Sequence, residues 1–137
     1  MTYTGLFGTR RRVLKSSKII RALGALDEAN SYLGTLKNRK LERIQKDLMT
    51  ISSILAGAKL KFPGNRVKEL ERDINKLEKK LPPLRNFILP RGQLMFARAL
   101  VRRAEREAVG IKARRFILAY LNRLSDYLFL LAREERQ

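Results

Sequence analysis

The sequence predicts an all-α protein, a bundle of four or five helices folded as one domain, and three observations predict it. Apolar residues recur at three- and four-residue steps in separate stretches of the chain. The breaks between those stretches carry Pro, Gly or Asn, which end helices. No strand pattern competes with them. A chain of 137 residues suits a single domain, residues 1–137, with one hydrophobic core.

The elements follow in order. The first 16 residues contain Gly5 and Gly8 and show no helical period, so they read as a basic arm or loop. Helix one is expected to start near Ser16 or Ser17, both good N-caps, and to run through Ile20, Leu23, Leu26, Asn30 and Leu33. Leu41, Ile44, Leu48, Ile51 and Leu55 mark the second helix, stopped by Phe62-Pro63-Gly64-Asn65. Val67, Leu70, Ile74, Leu77 and Leu81 mark the third, ended by Pro82 and Pro83. The apolar stretch Phe87-Ile88-Leu89-Pro90 is extended, because Pro90 disfavours helix at the residue before it. The fourth helix is expected over residues 93–111 and the fifth over 115–133, antiparallel neighbours because their connection is short.

Composition then narrows the chemistry. There is no histidine and no cysteine. That removes His-based acid–base catalysis, Ser-His-Asp and Cys-His triads, disulfides, and almost every side-chain zinc site, so no metal-ligating residues are assigned. Chemistry must rest on Lys, Arg, Asp, Glu, Asn, Ser and Thr, or on a bound cofactor. No membrane span or signal-peptide core is visible, and a cytoplasmic location is expected. The formal charge of +18 favours an anionic partner. The excess is one-sided, since no acidic residue precedes Asp27 while Arg10, Arg11, Arg12, Lys15, Lys18 and Arg21 are all basic. A heat-adapted surface is the plainer reading of the overall excess.

Two helical faces carry unusual chemistry. Arg98, Arg102 and Glu105 share one face of the fourth helix, and two like charges one turn apart repel unless an anion lies between them. The alternative is a solvated face with Glu105 paired to Arg102 or Arg106. Ala97, Ala104 and Ala108 would let another backbone approach closely. On the fifth helix Asn122, Ser125, Asp126 and Phe129 share a face, either as an interhelical network that fixes register or as a binding surface. Asp27 lies in an apolar-periodic helix. A carboxylate buried there needs a cation, and an Arg from another helix or subunit is the economical partner.

Three blocks resemble a known family. RVLKSSKIIRALGALDEANSYLG at residues 12–34, FILP at 87–90 followed by ARALVRRAER at 97–106, and YLNRLSDYLFLLAR at 120–133 are similar to signatures of the corrinoid (cob(I)alamin) adenosyltransferases of the propanediol-utilisation type. They stand in the family's order and cover roughly two fifths of the chain. The resemblance implies a five-helix up-down bundle, ferritin-like, forming a homotrimer with ATP and corrinoid at each subunit interface. It implies transfer of the 5′-deoxyadenosyl group of ATP to Co(I) of cobalamin with release of triphosphate, assisted by Mg2+, with a corrinoid reductase as a further partner. Carried over by position, Thr4, Gly5 and Lys15 lie at the triphosphate. Arg102 grips ATP, with Glu105 and Asn122 as its companions. Asp27 and Arg98 resemble an intersubunit ion pair, and Arg102, Asp27 and Arg98 are the candidate catalytic set. Phe87 resembles the aromatic residue that displaces cobalt's lower ligand, and Phe129 faces the corrinoid.

The sequence also departs from the family. Its phosphate loop, Thr-Lys-Thr-Gly-Asp in the family, reads Thr2-Tyr3-Thr4-Gly5-Leu6 here. Ile19 stands where the family has an arginine, and Arg91 where it has a glycine. Arg10, Arg11 and Arg12 could replace the missing cations. Two other readings stand beside adenosyl transfer: a member that keeps the bundle and ATP binding without catalysis, and a basic helical nucleic-acid-binding protein. The basic arm has few aromatics for base stacking, which speaks against nucleic acid.

Overall fold

A computed structural model describes residues 3–5, 12–14 and 17–136. It contains five helices, α1 (Lys18–Thr35), α2 (Arg39–Leu55), α3 (Arg66–Lys80), α4 (Gln93–Gly110) and α5 (Arg115–Glu135), preceded by two short strands, β1 (Tyr3–Gly5) and β2 (Arg12–Leu14). The strands pair antiparallel, Tyr3 opposite Leu14 and Gly5 opposite Arg12. The sequence reading treated this arm as a loop. Three-residue strands are too short to show an alternating pattern, and pairing rather than side-chain periodicity defines them.

The ends of the helices follow local chemistry. Ser17 caps α1, its Oγ accepting from the Ile20 N–H at 3.4 Å, and Asn38 Oδ1 caps α2 by accepting from the Lys40 N–H at 2.9 Å. Helix α2 stops at Leu55, seven residues before the Phe62-Pro63 signal expected to end it. The reason is Gly57, whose φ of 107° is the left-handed conformation that closes a helix C-terminus at little cost for glycine.

The helices are arranged α2–α1–α4–α5–α3, each packed on the next. On α4 and α5, Glu105 meets Asn122 and Arg98 meets Phe129. A seven-residue advance along one helix matches a seven-residue retreat on the other, so the two run antiparallel, as their short connection requires. Ala97, Ala104 and Ala108 are fully buried on the inner face of α4. Their small side chains allow the close approach to the neighbouring helices that the sequence anticipated. The core joins Leu26 and Leu33 of α1, Leu48 and Ile51 of α2, Leu70 and Ile74 of α3, Val101 of α4, and Leu121, Leu124 and Leu128 of α5. Those of α1, α2 and α3 lie at positions the helical period marks, and burying each core residue stabilises the fold by about 1.5–3 kcal/mol before the cost of ordering it.

Two polar devices lock the helices together. Asn30 Nδ2 donates to the Gln45 carbonyl at 3.2 Å, and Gln45 Nε2 donates to the Asn30 carbonyl at 3.1 Å, a reciprocal clasp between α1 and α2. Deeper in, Asp47 of α2 accepts from Tyr120 Oη of α5 at 2.6 Å and from Arg66 Nε at the start of α3 at 2.8 Å. Arg66 also bonds Glu69. Phe62 covers this cluster, edge-on to Tyr120 and stacked with Phe116. Burial opposes the charge on Arg66, but the hydrogen bond and charge of Asp47 outweigh it and raise its pKa. Burial, and next the hydrogen bond to Asp47, push the Tyr120 phenol far above its ordinary value of 10.0. Among the described residues, no helix is long and apolar enough to cross a membrane.

Candidate functional site

The α4/α5 face carries half of the sequence-predicted site residues, Arg98, Arg102, Glu105, Asn122 and Phe129. Glu105, half-buried on α4, accepts from Asn122 Nδ2 across the helix interface at 3.2 Å. Asn122 Oδ1 in turn accepts from Arg123 Nη2 at 2.6 Å, and Arg123 pairs with Asp126 at 3.3 Å. Glu105 is therefore not used by Arg102 or Arg106, the local pairing that a solvated face would give. The amide on the neighbouring helix holds it instead. Arg102 is exposed and, among the described residues, makes no ion pair or side-chain hydrogen bond.

One turn back, Arg98 is half-buried with its guanidinium over the Phe129 ring, 5.2 Å from the centroid. Burial, and next the like charge of Arg102, lower the Arg98 pKa, with Asp126 opposing them. The repulsion expected from the spacing is thus present, and neither arginine is neutralised by a bonded carboxylate among the described residues. Phe129 is half-buried and packs against the core, while its ring also meets Arg98 at the site.

The polar face expected on α5 divides. Only Asn122 reaches another helix. Ser125 is buried but donates to the Asn122 carbonyl of its own helix at 2.8 Å, a local way to satisfy a mid-helix hydroxyl. Asp126 is exposed and pairs within α5. The interhelical network read from the pattern is thus one bond wide here.

Asp27 requires a correction. Its helix is amphipathic, but Asp27 lies on the outer side and is exposed, accepting from Ser31 Oγ at 3.4 Å. It is not a buried carboxylate, and no ion pair joins it to Arg98 within the chain. Its neighbour Glu28 instead reaches Arg103 of α4 at 3.5 Å. Phe87 is also fully exposed, at 107% of its reference area. Thr4 and Gly5 lie in β1, opposite Val13 and Arg12. Lys15, Arg10 and Arg11 lie outside the described residues. Among the described residues no three acidic side chains cluster to hold a metal ion.

Sequence reasoning missed Arg123, which orients Asn122, and the Asp47–Arg66–Tyr120 cluster. Asp47 sits one residue before Leu48 in the period, within the buried arc of α2, and that position was the available signal.

A basic, open face that leaves one arginine unpaired and holds a Glu–Asn pair beside it suits a polyanion carrying hydrogen-bonding groups. Comparison with known proteins agrees. A family model described as cobalamin adenosyltransferase matches residues 2–135. The corrinoid adenosyltransferase PduO of Citrobacter freundii is 39% identical over 156 residues, covering 96% of this chain and 46% of PduO. MMAB of Bos taurus, a corrinoid adenosyltransferase, is 36% identical, covering 96% of this chain and 65% of its own length. The chain thus spans about half to two thirds of these two relatives. A corrinoid adenosyltransferase of Bacillus subtilis is 35% identical, covering 95% of this chain and 79% of that protein. Among solved structures, a variant PduO-type ATP:corrinoid adenosyltransferase from Lactobacillus reuteri complexed with cobalamin and ATP superposes with a TM-score of 0.86 at 30% identity, covering 97% of this chain and 87% of that one.

Proposed function

This chain belongs to the cobalamin adenosyltransferase family, and we propose that it transfers the 5′-deoxyadenosyl group of ATP to Co(I) of a corrinoid and releases triphosphate. The observation that carries the proposal is Arg102, exposed and unpaired among the described residues beside the Glu105–Asn122 bond. The reaction asks little proton chemistry of the protein. The electron pair of Co(I) forms the bond to C5′ as the C5′–O bond breaks, and that bond's electrons leave with the triphosphate. No group must be deprotonated, so a chain without histidine suffices. What the protein must do is hold C5′ in line with cobalt and offset charge on the leaving group.

In this reading Arg102 binds the phosphates, and Glu105 and Asn122 orient the nucleoside. Thr4, Gly5 and Lys15 complete the triphosphate side, with Arg10, Arg11 and Arg12 offering charge where Tyr3 and Leu6 replace the family's lysine and aspartate. Mg2+ arrives on the nucleotide's own phosphates, which suits a cation that binds through few protein ligands. No described carboxylate cluster holds it, and no step is assigned to it. The assembly is a homotrimer in which Asp27 of one protomer meets Arg98 of the next. Its support is that both groups lack an ion-pair partner among the described residues. Phe87 and Phe129 face the corrinoid, Phe87 crowding out the lower ligand of cobalt. A reductase supplies Co(I), and the location is the cytoplasm.

The test is to mix the protein with ATP, Mg2+ and chemically reduced cobalamin and follow the visible spectrum. Conversion to the adenosylated corrinoid supports the proposal, and its absence with full ATP saturation overturns it. Calorimetric ATP binding without conversion would select the second reading, a member that binds nucleotide without transfer, which the substitutions at Tyr3 and Leu6 favour. Salt-sensitive retention on DNA without ATP binding would select the nucleic-acid reading.

A further inference from the structure

Between α3 and α4 the chain runs through residues 82–91 without helix or strand, and none of these residues makes a main-chain hydrogen bond to another main-chain group among the described residues. Pro82, Pro83 and Pro90 have no N–H to offer. The strap's carbonyls therefore need donors from elsewhere, and two arginines at the end of α5 supply them. Arg133 Nη2 donates to the Pro82 carbonyl at 2.6 Å. Arg136 Nη2 donates to the carbonyls of Leu89 at 2.6 Å and Arg91 at 3.2 Å. Apart from these bonds, Ile88 is the strap residue packed against the core. The strap and the two arginines, Arg133 and Arg136, together line a cleft of about 510 Å³. A second cleft of about 400 Å³ adjoins it, lined by Phe129, Asp126, Arg133 and Leu84. Leu84 also lines the shallow cup that contains Phe87.

We propose that Arg133 and Arg136 are positioning residues that clamp both ends of the strap to α5 and so fix Phe87 relative to Phe129. This rests on the reading of Phe87 and Phe129 as the corrinoid side. Guanidinium groups suit the task, since each presents several donors in a rigid fork. The clamp also links the two halves of the site. Helix α5 carries Asn122 on the nucleotide side and the two arginines that set the strap, so one rigid rod spaces both substrates.

The chain has no tryptophan, so Phe87→Trp installs a single fluorescent reporter on the strap. Its anisotropy is measured with the arginines intact and in an Arg133→Ala/Arg136→Ala background, with far-UV circular dichroism confirming helix content. Both arginines lie near the surface, and substitutions there seldom prevent folding. If the double variant does not fold, each single variant is measured in its place. The clamp predicts a clear fall in anisotropy on losing the arginines, partly reversed by Arg133→Lys. In the chain that retains Phe87, the same double substitution should raise the corrinoid KM about tenfold while the ATP KM stays within about twofold. Unchanged anisotropy, or an ATP KM that rises as much as the corrinoid KM, overturns the clamp. The anisotropy result stands whether or not the parent chain adenosylates cobalamin, so failure of the proposed activity and failure of the clamp are read separately.

Discussion

Two polar clusters of similar composition behave in opposite ways. At Asp47, Arg66 and Tyr120 the groups are buried and each finds a partner, Asp47 accepting from both a guanidinium and a phenol. At Arg98, Arg102, Glu105 and Asn122 one carboxylate accepts a single amide, one arginine leans on a ring, and one has no partner among the described residues. The first cluster stabilises the protein by being complete. The second is open and cationic, an arrangement that gains free energy only when an anion arrives. A satisfied polar group thus marks structure, and an unsatisfied, solvent-facing one marks a candidate for binding.

The comparison breaks most sharply at Asp47. Asp47→Ala leaves Arg66 buried with Glu69 alone and Tyr120 without an acceptor, and should cost about 3–5 kcal/mol of stability. Denaturant melts should show that loss, while ATP affinity below the melting range stays unchanged.

At the open cluster the effects should fall on activity instead. Asp27→Arg or Arg98→Asp alone should lower the rate of corrinoid adenosylation by about 100-fold, equal to about 2.7 kcal/mol, with little change in melting temperature. Combining the two restores the charge pair in reverse, and initial rates should recover at least in part. A double variant no better than either single would remove the intersubunit pair from the reading.

Tyr120→Phe is a gentler probe of the closed cluster. Losing the bond to Asp47 should cost about 1.5 kcal/mol at neutral pH. The phenol's pKa is raised on folding, so its contribution is complete below the unfolded value of 10.0 and declines as pH rises above it. The parent protein should therefore lose stability through the alkaline range, and Tyr120→Phe should flatten part of that decline in melts taken from pH 8 to 11. Tyr127, raised first by its burial and then by Asp73 and Glu134, accounts for a further share.

The fold was largely legible because its signals are local. Leu48, Ile51, Leu70 and Ile74 each lie where the period puts the core, and each is buried. The early end of α2 was not, because Gly57 carries no apolar period and its positive φ shows only in three dimensions. Arg102, Glu105 and Asn122 were legible one helix at a time, through spacing and family resemblance. That Glu105 would join Asn122 rather than a neighbouring arginine depended on how α4 and α5 pack. The burial of Asp47 was hinted at by its place in the buried arc of α2, but its partners were not legible, because only the meeting of three helices brings Arg66 and Tyr120 to it. Asp27 misled because an acidic residue in an amphipathic helix takes its burial from its angle on that helix, and here the angle points outward.

The central claim is that the open α4/α5 face holds the nucleotide through Arg102. Isothermal titration of ATP and Mg2+ into the intact chain and into Arg102→Ala tests it most directly. Saturable binding to the intact chain, weakened by about tenfold or more in the variant at unchanged melting temperature, is the expected result. Equal affinity in both would contradict it.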